Sequence, residues 1–432
     1  MPFEPFDQTP RRIAVIGGGI SGMAAAYLLS GKHAVTLYEA EPRLGGHART
    51  LLAGKRGDQP VDTGFIVFNK VNYPNLLALF TALEVPIADS DMGFGASFGG
   101  GRLEYALRNL NTLFAQRRNA LSPRFLRMVR DIVHFNAHAE AAALGSTLTI
   151  GGLLDRLGTS DAFRDHYITP ISGAIWSTPV EGILDFPAEA MIRFFKNHAL
   201  LQASNQHQWF TVQGGSVEYV RRLQAHLARQ GAEIRTATPI AAIRREVNGV
   251  MLRAQGGAWE VYDDVVMATH SDDTLAMLTD ATPQERAALS AVRYQPNEAV
   301  LHADARVMPQ ARRAWASWVY VEPAGQPKPD RIALTYWMNS LQPIPHDDPL
   351  FVTLNPTQPI RDHLIHDVTT FRHPVFDHAA LQAQSAIRAL NGARNTWFCG
   401  AWMKNGFHED GFASAVDVAD AMAARQTQAV AA

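Results

Sequence analysis

Residues 13–39, IAVIGGGISGMAAAYLLSGKHAVTLYE, carry three glycines spaced Gly17-x-Gly19-x-x-Gly22 and a terminal acid, Glu39. This spacing suits the binding of a diphosphate. Gly17 permits a tight turn, Gly19 lets the backbone approach a pyrophosphate, and Gly22 lets the following helix pack against the strand before it. Free backbone N–H groups around Ser21 and the positive end of that helix then hold the phosphate charge. Glu39, 17 residues after Gly22, and the adjoining Ala40 close the next predicted strand. A carboxylate there accepts hydrogen bonds from ribose hydroxyls and repels a 2′-phosphate, which argues against NADP. A glycine turn alone is common. Strand, glycines, helix, strand and acid in register over about 30 residues point to an ADP-containing dinucleotide.

Two further groups extend this chemistry. Arg43, Gly45 and Gly46 follow Glu39 within one loop. The glycines let the backbone run along the pyrophosphate while Arg43 or Arg49 neutralises it. Such a second pass suits FAD, which lies extended across its domain, better than NAD. Near the C-terminus, FCGAWMKNGFHEDGFASAVDVADAMAA reads as a strand ending at Gly400, a loop, and a helix begun by Gly411, Phe412 and Ala413. A helix N-terminus aimed at the flavin N1–C2=O edge stabilises the negative charge of reduced flavin. Glu409 and Asp410 beside it would either cap the helix or contact ribityl hydroxyls. Candidates for proton transfer are His270, at the end of VVMATH, His408, just before the helix, and Glu298 with its neighbour Asn297. Trp176, Tyr336 and Trp337 could form an apolar wall. Lone histidines such as His134 and His198 read as structural. No HxH or HExxH spacing occurs, so no metal is expected, and no GxSxG supports hydrolase chemistry.

The elements that must position these residues recur along the chain. Nucleotide-domain patterns occupy 11–84, 210–285 and 378–426. Helical periodicity dominates 85–209, and 286–377 is mixed, with strand-like pieces such as AWASWVYVE. The expected fold is therefore α/β: a Rossmann-like FAD-binding domain built from the first three segments, and a discontinuous mixed α+β substrate domain built from the other two. With 432 residues there is ample chain for both. A net charge of −2 argues against nucleic-acid binding. The single cysteine, Cys399, excludes an internal disulfide and fits a reducing compartment. No apolar run is long enough for a transmembrane helix. The N-terminus lacks the basic and apolar regions of a signal peptide, so a cytoplasmic location is expected.

The GxGxxG–Glu39–RLGG block, the ATPIAAI segment and the terminal GAW…EDGFASAVDVA helix resemble the FAD-binding parts of the flavin amine oxidase superfamily. The resemblance implies an amine-oxidase-like fold, Ile240 offering backbone contacts to adenine, and Glu39 binding ribose. It also implies non-covalent FAD, because residues 365–398 contain no cysteine to tether the flavin, although His373 could serve. Amine-oxidising members place a lysine near flavin N5, and the corresponding stretch QPNEAVLHAD has none. Finer details, VDTGFIVFN at 61–69, PISGAIWSTP at 170–179, His373-Pro374 and FHEDG at 407–411, resemble a bacterial subgroup that accompanies lipid methyltransferases. One branch of it is similar to the desaturase of methylated acyl chains in furan fatty acid synthesis.

That resemblance implies a lipid or fatty acyl substrate and a lipid methyltransferase as a partner. Residues 102–130 hold seven arginines and one acid, interleaved with Leu, Phe and Met. Such a segment suits either an anionic bilayer surface or a solvated face over a core-facing stripe. Dehydrogenation of an acyl chain by hydride transfer to flavin is the expected activity. Amine or polyamine oxidation, and a non-catalytic FAD-containing accessory role, are the alternatives.

Overall fold

The computed structural model describes residues 10–176, 180–201, 207–325 and 331–431. The first nine residues and positions 177–179 of the PISGAIWSTP stretch lie outside them. Strand β1 (Arg12–Ile16) follows the pattern RIAVI, apolar at four consecutive positions. Ile13 and Val15 enter one hydrophobic cluster and Ala14 and Ile16 another. Both faces of the strand are covered, as side-chain alternation in a parallel sheet demands. Helix α1 (Ile20–Leu29) runs back along one face to β2 (Ala34–Tyr38). Its Ala24-Ala25-Ala26 run is buried, and the small side chains let it lie close to the sheet.

The five parallel strands stand in the order Glu233–Arg235, β2, β1, Asp264–Met267, Thr396–Phe398. The face that α1 covers also receives the C-terminal helix His408–Ala431, through Ala415, Val418 and Met422. The opposite face receives the antiparallel layer Ile240–Glu246, Gly249–Ala254 and Trp259–Tyr262, together with Leu289 and Ile387 from two helices.

A second sheet has seven strands in the order Ile365–Val375, Arg293–His302, Phe351–Leu354, Leu334–Trp337, Trp318–Val321, Phe94–Phe98, Leu103–Ala106. All its pairs are antiparallel except Trp318–Val321 with Phe94–Phe98. One face packs on the helices Pro123–Ala143, Ile150–Leu157, Thr169–Trp176 and Ala188–Asn197. A smaller sheet, Val67–Asn69, Trp209–Val212 and Ile87–Ser90, runs beside both. The architecture is thus a Rossmann-like sheet joined to a mixed α+β unit. Among the described residues no helix is long and apolar enough to cross a membrane.

Two local expectations are corrected. The C-terminal helix starts at His408, not at Gly411, because the Asp410 carboxylate reaches back to accept a hydrogen bond from Phe407 N at 2.9 Å and closes a first turn. Tyr336 and Trp337 do not share a wall. Successive residues of one strand point to opposite faces. Tyr336 packs with Trp318 against the helical layer, while Trp337 packs with Trp315 and Phe351 on the far side.

Candidate active site

The glycine turn has the geometry its spacing demands. Gly17 sits at φ +107°, and its N–H donates to Tyr38 O at 2.8 Å. A Cβ on Gly22 would overlap the Gly17 carbonyl oxygen. A Cβ on Gly19 would meet no heavy atom within 4 Å, so open space lies in front of the turn. Helix α1 starts there with no side-chain cap, leaving its first N–H groups directed at that space. Ser21, in that first turn, is buried, and its Oγ lies against Gly411. Glu39 stands at the end of β2, with Oε2 accepting from Gly18 N at 2.6 Å and Oε1 from Glu41 N at 2.8 Å. The exposed Ala40 follows it, and Thr238 N, two residues before Ile240, bonds to Glu39 O at 2.9 Å.

The second glycine loop lies on the first: Gly45 N donates to Gly18 O at 2.8 Å, and Gly46 faces Gly19. Arg43 braces this loop by bonding Gly46 O at 3.0 Å. Arg49 is not available to a pyrophosphate, because it forms a two-pronged pair with Asp367 at 2.7 and 3.2 Å. The third contributor is the start of the C-terminal helix. Gly411 packs so closely on α1 that a Cβ would lie 2.8 Å from Ile20 Cγ2 and Ser21 Oγ. Ser414 Oγ accepts from Gly400 N at 2.9 Å and donates to Gly411 O at 2.8 Å, locking strand end to helix start. The Phe412 side chain is buried in the core, so only its backbone faces the cradle. Asp410 is a cap. Glu409 is another, accepting from Asn75 N and Leu76 N at 3.0 Å each and so closing the start of the helix Pro74–Ala82. Burial pushes Asp410 up to about 6.

Beside this cradle four segments bring imidazoles together. The His47 ring lies 4.9 Å from Phe371, 5.5 Å from His373 and 6.2 Å from His270. His270 stacks on Tyr294 at 4.3 Å. His408 stacks on Phe65 at 3.8 Å, with Nε2 3.0 Å from the Tyr219 hydroxyl. Burial lowers His47 and His270 to about 4 and His373 and His408 to about 3, so all four are neutral at pH 7. Each of the four residues is nevertheless half-buried rather than fully enclosed. Asn297 Nδ2 meets His373 Nδ1 at 2.8 Å, while Asn297 Oδ1 accepts from Asn355 Nδ2, also at 2.8 Å. This relay makes His373 Nδ1 the acceptor and leaves the proton on Nε2. Asn355 holds a left-handed backbone, φ +47°, to do so.

Glu298 does not belong here. It points to the exposed side of its strand, toward Pro356, Gln358 and Val368, because the buried inward position falls to Asn297. Sequence reasoning passed over His47 and the Asn355–Asn297–His373 relay. The signal for His47 was its place directly after Gly45-Gly46; Asn355 had none. Asp272 and Asp273, which with His270 form a cluster of metal-type ligands, are both bonded to Arg372, whose guanidinium already meets their charge.

Next to His408 in the chain, Phe407 joins a group of apolar rings. Phe407 stacks on Phe194 at 5.2 Å, and Phe194 on His198 at 3.9 Å. Trp176 packs among Phe186 and Phe194. Trp318 lies edge-on to Tyr336 at 5.5 Å, and its buried Nε1–H has no hydrogen-bond partner among the described residues.

A parallel nucleotide-binding sheet, a second glycine loop laid on the first and a helix start at the same point fit FAD. They define an FAD-dependent oxidoreductase of the amine-oxidase fold. Residues 20–303 match the model of the flavin containing amine oxidoreductase family, and the chain belongs to that family. It is 28% identical over 300 residues to the carotenoid phi-ring synthase of Streptomyces griseus, covering 63% of this chain and 54% of that protein. It is 39% identical over 111 residues to a coproporphyrinogen III oxidase of Mycobacterium tuberculosis, 24% of this chain and 22% of that protein. The chain thus matches about half or less of the length of these curated relatives. Among solved structures, the CLA-producing fatty acid isomerase from P. acnes superposes with a TM-score of 0.68 at 16% identity, over 95% of this chain and 98% of that one. That similarity shows the fold.

Proposed function

We propose that the protein dehydrogenates an unsaturated or methyl-branched acyl chain of a phospholipid. The observation that carries this reading is the character of the groups beside the cofactor cradle. The imidazoles are held neutral, the rings beyond them are apolar, and the nearby carboxylates Glu409 and Asp410 are already bonded to helix N–H groups. In the stretch where amine-oxidising relatives place a lysine, the inward side chain is Asn297. Such a lining favours a hydrocarbon over an ammonium group. The names of the fatty acid isomerase and of the carotenoid relative support it, since both concern long apolar chains.

FAD held by the Gly17–Gly22 turn, Gly45-Gly46 and the start of the C-terminal helix would supply the acceptor for a hydride from an allylic carbon. The adjacent carbon gives up its hydrogen as a proton, and a C=C bond forms between the two. His408 is assigned to take this proton at Nδ1, with Nε2–H donating to the Tyr219 hydroxyl. The Nε1–H of Trp318, buried without a partner among the described residues, is assigned as the donor to an acyl oxygen. Trp318→Phe keeps the ring, and should weaken binding of a fatty ester but not of a hydrocarbon of equal length.

The test follows flavin absorbance without oxygen. The protein is mixed with liposomes carrying monounsaturated or methyl-branched acyl chains, and separately with a panel of amines. Bleaching by lipid alone is the expected result. Bleaching by an amine alone would overturn the reading in favour of amine oxidation. Reduction by dithionite alone would favour a non-catalytic accessory role beside a lipid methyltransferase.

A further inference from the structure

The helix Pro123–Ala143 is apolar on two sides. Its inner face buries Phe125, Met128, Phe135 and Ala139. Its outward stripe, read at helical spacing, runs Leu126, Arg130, Val133, Ala137 and reaches Leu144 just past the helix. Leu126, Val133 and Leu144 on that stripe are 44%, 65% and 75% exposed. Two more leucines protrude from the turns that precede the helix, Leu110 at 74% and Leu121 at 87%. One exposed aliphatic side chain is ordinary; five along a single 35-residue stretch, four leucines and a valine, are not.

Up to Arg130 the exposed charge around them has one sign, and farther along the helix the exposed Glu140 is paired with Lys196. Residues 102–130 hold seven arginines and one acid, Glu104, and that acid is buried and turned inward onto the N–H groups of Gln310 and Ala311. Arg108 pairs with Asp91, and Arg127 and Arg130 share the buried Asp131. Arg117 and Arg118 bond to backbone carbonyl groups, which leaves their charge uncompensated. Arg124 has no partner among the described residues. Isolated leucines projecting between arginines suit a fluid surface that each side chain can enter separately, whereas a folded partner would need one continuous complementary patch.

We infer that this face, from Arg102 to Leu144, docks on an anionic lipid bilayer. Leu121 and Leu126 enter the interface, and Arg117, Arg118 and Arg124 contact the headgroups. The inference deepens the acyl reading, since a chain carried by a phospholipid must be met at a bilayer, but its test does not use turnover. Flavin-loaded protein is floated with vesicles of saturated phosphatidylcholine, alone or mixed with saturated phosphatidylglycerol. Expected is flotation with the mixed vesicles only, abolished by high salt. Arg117→Glu with Arg124→Glu should lower the affinity for mixed vesicles by about tenfold or more, and Leu121→Ser with Leu126→Ser should lower it comparably. An unchanged flavin spectrum and melting temperature show that the variants are folded. Equal binding by the variants, or no flotation of the parent protein, overturns the inference. A concentration-dependent doubling of mass, lost in Leu126→Ser with Val133→Ser, would assign the face to a second copy of the chain instead. Flotation with no bleaching by any lipid would leave the docking surface standing and remove the acyl reading.

Discussion

Replacing Gly19 by alanine separates cofactor binding from folding. Gly19 has φ −74° and ψ −175°, a conformation open to any residue. A Cβ there meets nothing within 4 Å in the protein alone. The apoprotein should therefore be no less stable, and should gain about 0.4–1 kcal/mol from a less flexible unfolded chain. The space that the methyl group enters is the space in front of the uncapped start of α1, where the pyrophosphate is expected. Crowding of that kind costs about 1–3 kcal/mol, a loss of roughly 5–150-fold in FAD affinity. Gly22→Ala is the control. Its Cβ would overlap the Gly17 carbonyl oxygen, which is backbone and cannot move aside, so this variant should lose stability even without cofactor. The assay is a pair of measurements on apoprotein, a thermal melt and a titration by quenching of FAD fluorescence. Unchanged affinity in Gly19→Ala would refute the placement of the pyrophosphate, and a destabilised Gly19→Ala apoprotein would refute the claim that the space is open.

Three further outcomes follow from the site. His408→Asn should slow flavin reduction by about 10²–10⁴-fold in a stopped-flow experiment, while Glu298→Gln, altering a residue on the outer face, should change it less than about twofold. Asn355→Ala removes side-chain bonds to Asn297, Ile332 O and Glu298 N and puts alanine at φ +47°. The expected cost is about 2–4 kcal/mol in a denaturant melt, with a changed His373 tautomer in ¹⁵N NMR; Asn355→Gly, which relieves the strain, should cost less. Acid should also weaken the fold. The folded-state pKa values of His47, His270, His302, His373 and His408 are about 3–4, below their unfolded value, so the unfolded chain binds more protons as pH falls from 7 toward about 5.5. Each then disfavours folding by about 1 kcal/mol. Asp62 and Asp410, raised to about 6, work in the opposite sense and take up protons in the folded state over the same range. The net loss is about 3 kcal/mol, and a melting temperature that does not fall between these pH values would contradict the neutral histidine cluster.

The parts of the site that could be read from sequence are those whose constraints are local. A strand, a turn with no room for a Cβ on Gly17 or Gly22, a helix start and an acid at the next strand end all fall within one βαβ unit, so phosphate chemistry writes itself into 27 consecutive residues, 13–39. The histidine group has no such unit. His47, His270, His373 and His408 come from a loop, a strand end, the edge strand of the other sheet and a helix start, and only the packing of the two sheets brings His47 to 6.2 Å from His270 and 5.5 Å from His373, and close enough to His408 to bear on its charge. Where the reading of a single strand failed, it failed by one residue. Glu298 was preferred to Asn297, and Trp337 was grouped with Tyr336. A period of two fixes which residues share a face, but which face is covered depends on a partner layer that the strand's own sequence does not name. The same limit explains Asp410. Its chemistry, a carboxylate at a helix start, was legible, whereas the place of that start, at His408 rather than Gly411 and closed by its bond to Phe407 N, was not. The functional consequence runs the same way. The cofactor is specified by residues near in sequence, while the residues beside it meet only in the fold, so evolution on this scaffold can change the substrate side without disturbing the nucleotide cradle.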